Sequence, residues 1–70
     1  MTYNQQIFIQ YAAQMLRRSS NIVACGTVGS GMNRKQVIAA TKEAIKQSGV
    51  KVKSAELLKT GVLFTVGEAA

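Results

Sequence analysis

Asn21-Ile-Val-Ala-Cys-Gly-Thr-Val-Gly-Ser-Gly-Met-Asn-Arg-Lys-Gln-Val-Ile-Ala-Ala-Thr-Lys-Glu-Ala-Ile-Lys-Gln-Ser-Gly-Val-Lys-Val52 changes its periodicity twice, and the fold follows from where it does so. Ile22, Val23, Ala24 and Cys25 are a continuous apolar run, which predicts a strand over about 22–28 that is central and buried on both faces, or lies at an interface. Gly26, Gly29 and Gly31 then supply backbone freedom for a turn. Asn33 with Gln36 has the spacing of a capping box and opens a helix. Val37, Ile38, Thr41, Ala44 and Ile45 recur at helical spacing as its inward face, while Arg34, Lys35, Lys42, Glu43 and Lys46 point outward. Gly49 ends it as a left-handed glycine. From Val50 the period is two, with Val50 and Val52 on the core side and Lys51 and Lys53 on the other. A strand that feeds a glycine turn and then a helix aims backbone N–H groups and the positive end of a helix dipole at one spot, which suits an anion.

Upstream, the residues predict a helix over about 2–19. Thr2 and Gln5 have capping-box spacing, and Arg17 and Arg18 sit in the last turn, where cations suit the dipole. Its apolar residues, among them Ile7, Phe8, Ile9, Tyr11, Ala12, Met15 and Leu16, cover an arc of roughly 240° and leave a strip of Gln6, Gln10 and Gln14. One sheet alone would need a narrower arc, so Ile9, Tyr11 and Met15 are expected at an oligomer interface. Downstream, the alternation breaks near Ser54 and Ala55, where a bulge is expected. Lys59, Thr60 and Gly61 read as a hairpin turn with Gly61 left-handed, and a last strand is expected over 62–66 before a frayed end. The expected fold is a single α+β domain, a two-layer sandwich in the order α-β-α-β-β. Its mixed three-stranded sheet would hold the 22–58 strands as a parallel βαβ unit, with the helices on one face.

Seventy residues make one small domain in which a single core is marginal, yet 47% of the residues are apolar. That excess predicts a homo-oligomer, most simply a two-fold homodimer. No apolar run reaches the roughly 20 residues of a membrane span, and no signal-peptide pattern opens the chain, so a soluble, cytoplasmic protein is expected. Nine Lys and Arg oppose three Glu, with no Asp or His, for a net charge of +6. The basic residues are spread over folded elements, which favours a polyanionic partner, nucleic acid before a membrane surface.

Most chemistries lack their parts. Gly26 to Gly31 has the first two glycines of a P-loop, but Met32 and Asn33 stand where Lys and Ser or Thr are needed, and no Asp could hold Mg²⁺. Gly29-Ser30-Gly31 lacks the third glycine of a dinucleotide fingerprint. Gly26-Thr27-Val28-Gly29 matches the GXXG of KH domains, but that loop joins two helices. Without His, and with Cys25 read as a small buried strand residue, metal sites and nucleophilic triads are not expected. Glu43, Glu56 and Glu68 are scattered singly and read as surface charges. Neither an enzymatic activity nor a cofactor is expected. What survives is contact with backbone phosphate by Gly29, Ser30, Gly31, Asn33, Arg34 and Lys35, together with Lys51, Lys53 and Lys59. Lys51 and Lys53 also read as guards on an edge strand. Arg34 and Lys35 are mildly unfavourable at a helix start and need another explanation.

Ser20-Asn-Ile-Val, the glycine turn, Met32-Asn33-Arg34-Lys35-Gln36-Val37, the amphipathic helix and Val50-Lys-Val-Lys together resemble the Alba superfamily of small basic DNA- and RNA-binding proteins. The resemblance covers most of residues 3–66. It implies an Alba-like fold in which Lys35 and Val37 match the family's lysine and core valine, Gly29 and Gly31 fall in its loop, and Lys59 tips its hairpin. The family's opening strand and the lysine-bearing loop before its first helix have no counterpart here, and the hairpin is short. The leading expectation is a non-enzymatic, dimeric nucleic-acid-binding protein of low sequence specificity. The alternative is a small assembly or interaction factor, of the kind found as phage or mobile-element accessory proteins, whose basic face engages an acidic protein. A third reading is a small anionic ligand held by the glycine loop.

Overall fold

The computed structural model describes residues 1–19 and 21–67. The elements are α1 (Tyr3–Arg18), β1 (Ile22–Gly26), α2 (Arg34–Ser48), β2 (Val52–Leu57) and β3 (Gly61–Val66). Both capping boxes form: the Thr2 side chain accepts from the Gln5 N–H and the Asn33 side chain from the Gln36 N–H, each answered by the glutamine side chain. Gly49 closes α2 in the left-handed conformation at φ 68°. Local chemistry that satisfies the helix ends within four residues is therefore realised as written in the chain.

The sheet corrects the expected topology. Its strand order is β1-β3-β2, and β3 runs antiparallel to both neighbours. The sheet is thus antiparallel and open, not mixed, and β1 and β2 point the same way without touching. β3 takes the centre, and its Val62, Phe64 and Val66 are all buried on the helix side. β1 is consequently an edge strand. Val23 and Cys25 are buried but Ile22 and Ala24 are exposed, so its apolar run is covered on one face only. The bulge lies between Val52 and Ser54, one to two residues before its expected place, with Lys53 as the extra residue.

Both helices cover one face of the sheet. Phe8, Ala12 and Leu16 of α1 and Val37, Ala40 and Ala44 of α2 share one core with Val23, Cys25, Val62, Phe64 and Val66. The helices are parallel: Gln5 Nε2 donates to the Gln36 carbonyl at one end (3.2 Å), and Arg17 donates to the Gln47 carbonyl at the other (3.1 Å). Ile9 is only 3% exposed and belongs to this packing, so it is not the outward seam residue expected of it. The breadth of the α1 arc has the same origin, because the helix packs against α2 as well as the sheet. Tyr11 remains half exposed, while Met15 is partly buried against the core.

Gly61 is also reassigned. It does not have positive φ; it opens β3 opposite Gly26, where an added Cβ would run into the Cys25 carbonyl and lie 2.9 Å from the Gly26 Cα. Its lack of a side chain serves close strand approach rather than turning. Fraying is expected over 67–70; from Glu68 onward that stretch lies outside the described residues, as does Ser20.

Candidate nucleic-acid interface

Parallel helices bring both N-termini to the same end of the molecule. β1 finishes at that end, and the hairpin between β2 and β3 turns there, since Gly26 pairs with Gly61 and the Thr27 N–H donates to the Thr60 carbonyl (3.0 Å). Residues 27–33 and the hairpin therefore sit together with the positive ends of two helix dipoles. Arg34 and Lys59 line one hollow of about 200 Å³, with Thr27, Met32 and Leu58 on its walls. Lys35 follows Arg34 in the first turn of α2, and Arg34, Lys35 and Lys59 are all exposed. Neither first turn carries an acidic residue, so nothing within them neutralises this end.

The loop itself is built differently from a phosphate cradle. The Ser30 N–H donates to the Thr27 carbonyl (3.1 Å) and the Met32 N–H to the Ser30 hydroxyl (3.3 Å). The Asn33 N–H donates to the Gln36 side chain (3.0 Å), and the Gln36 N–H is taken by Asn33 Oδ1 (2.9 Å). These donors are already used, and the ones that remain for an anion in the first turn of α2 are the backbone N–H groups of Arg34 and Lys35. Gly29 and Gly31 do adopt positive φ, at 77° and 74°. Gly31 also lies under Asn4, whose Nδ2 would be 2.8 Å from an added Cβ, so the loop rests on the first turn of α1. Nothing in the sequence pattern pointed to Asn4, because the contact joins residues far apart in the chain.

Lys51 and Lys53 stand apart from this group. Both are exposed, but they flank the start of β2, and Lys59 follows its end. Six residues of strand separate the two by roughly 20 Å. Arg17 belongs to that second end through its contact with the C-terminus of α2. The nine expected phosphate-binding residues thus form one cluster around Arg34 and a smaller pair at the opposite end of β2. No family model, curated protein or solved structure matches the chain.

Cys25 lies in the core at 1% exposure, and burial pushes its thiol pKa up. This is the environment of an inert packing residue, as read from its neighbours. Among the described residues, no three His, Cys, Asp or Glu side chains are grouped so as to hold a metal ion. No helix among them is long and apolar enough to cross a membrane.

Proposed function

We propose that the protein is a non-enzymatic nucleic-acid-binding module of low sequence specificity, which grips the phosphate backbone of DNA or RNA with the end that carries Arg34, Lys35 and Lys59. The observation that supports this reading is their convergence there, from two separate pieces of the chain, at the end where both parallel helices start. Cations at a helix start cost stability, so their clustering there points to an external anion. The internally bonded loop argues against a buried nucleotide and favours phosphates met at the surface, where side chains supply the charge. The likeness to the Alba superfamily enters on sequence grounds, through Lys35 in its helix start and Lys59 in its hairpin. Lys51 and Lys53, roughly 20 Å away, would reach a second phosphate at that distance from the first.

The test is a titration of a short duplex and of single-stranded RNA, followed by backbone amide NMR. Shifts concentrated at residues 28–35 and 58–60 are expected. Shifts confined to the glutamine strip of α1 would overturn the assignment, and an absence of shifts at low salt would leave the basic end as a docking surface for an acidic protein.

A further inference from the structure

The two edges of the sheet are built unlike one another. The β2 edge is guarded by the Lys53 bulge and by Lys51 and Lys59 close to its ends, devices that keep an edge from pairing with a second chain. β1 has none: Ile22-Val-Ala-Cys-Gly26 holds no charge, proline or bulge, and pairs with β3 in unbroken register. The Asn21 carbonyl accepts from Val66 and the Thr27 N–H donates to Thr60, so the odd-numbered residues of this strand face β3. By alternation, the N–H and C=O groups of Ile22, Ala24 and Gly26 point away from the sheet.

Apolar side chains flank that edge. Ile7 and Tyr11, one helical turn apart on α1, are 49% and 51% exposed and line a hollow with Gly26, Gly29 and Ser30. On the other face of the sheet Ile22 is 60% exposed. Charge is confined to one end of this surface: no Lys, Arg, Asp or Glu occurs in residues 1–16 or 19–33, and Arg17 and Arg18 stand at the C-terminal end of α1. The other seven basic residues lie elsewhere and β1 itself carries none, so two copies of a +6 chain can meet along this edge with no charged side chain on either paired strand.

We infer that β1 is the seam of a two-fold homodimer, in which it pairs antiparallel with β1 of a second copy about Ala24. Ala24 then faces the partner's Ala24, and Ile22 faces the partner's Gly26, a large side chain opposite one that leaves room. The result is a continuous six-stranded sheet whose two outer edges are both the guarded β2. Ile7 and Tyr11 of the two α1 helices close over the seam on the core side. Ile7, Tyr11 and Ile22 contribute roughly 300 Å² of apolar surface per copy, and the strand edge with the neighbouring polar side chains of α1 supplies the rest of the ~800 Å² a stable interface takes. This assignment replaces the seam expected at Ile9 and Met15 and does not depend on what the basic end binds.

Sedimentation of the whole protein at micromolar concentration tests it. The expected mass is twice 7.5 kDa. Ala24→Pro removes an N–H that faces away from β3, where an edge strand tolerates proline, and should halve the mass while the circular dichroism spectrum is kept. Tyr11→Lys should halve it without touching the strand. Hydrogen exchange supplies a further readout: the Ala24 amide should be protected in the wild type and exchange freely in Tyr11→Lys. A wild type that sediments as a monomer, or a folded Tyr11→Lys that stays a dimer with Ala24 protected, would overturn the inference. In the monomer case the open edge would be left for a strand of another protein.

Discussion

At the scale of single residues, two glycines show how one residue type serves different physical ends. Gly61 is held by close backbone approach, so Gly61→Ala must part β1 from β3 at their paired end. A loss of at least about 2 kcal/mol is expected, read as a lowered urea midpoint. Gly29 has open space around it and only its positive φ to defend, so Gly29→Ala should cost about 1 kcal/mol. Cys25 yields a third prediction. Its thiol pKa is raised above the ordinary 9.0 by burial, so the folded state holds the proton more tightly than the unfolded chain. The associated stability is complete below the unfolded pKa and declines as pH rises through about 9 and above. Cys25→Ala should remove that decline in urea midpoints measured across this range, and a thiol reagent should label the wild type only as it unfolds.

At the scale of elements, the boundaries of the helices were legible because their signals are local. Thr2 with Gln5 and Asn33 with Gln36 each satisfy N–H groups within three residues, and Gly49 marks a stop that requires positive φ. Thr2→Ala and Asn33→Ala should each cost about 1 kcal/mol, measured by urea unfolding. Strand order was less legible, because adjacency in a sheet is decided between residues far apart. Apolar content marks the lysine-bearing Val52–Leu57 as an edge strand, but it does not separate Gly61–Val66 from the equally apolar run of β1, which the sheet places at its other edge. The spacing of Gln5 shows only a cap, yet its side chain also ties α1 to the Gln36 carbonyl. The position of Arg17 marks it as a complement to the dipole of its own helix, but its side chain reaches the last carbonyls of α2. Nothing in the local spacing distinguishes those roles. Arg17→Met, which keeps the aliphatic stem, should lower stability by about 1 kcal/mol through the loss of these partly exposed bonds.

At the scale of the whole molecule, the parallel setting of the helices matters most for function. It gathers Arg34, Lys35 and Lys59 at one end, and leaves a side formed by residues 3–16 of α1 and by β1 that carries no charged side chain. The chain showed which residues were basic and where the glycines lay. It did not show that Lys51 and Lys53 stand at the opposite end from Lys59, because the length of β2 and the place of its bulge set that distance. On the proposed function, the Arg34 end is the part that meets phosphate. The most direct measurement is fluorescence anisotropy of labelled duplex DNA and single-stranded RNA across a salt series, for the wild type and for Arg34→Ala with Lys35→Ala. Binding that weakens steeply with salt is expected, together with a slope flattened by about two charges in the double variant, equally for unrelated sequences. A double variant that binds with the wild-type slope, or a wild type that fails to bind at low salt, would contradict it.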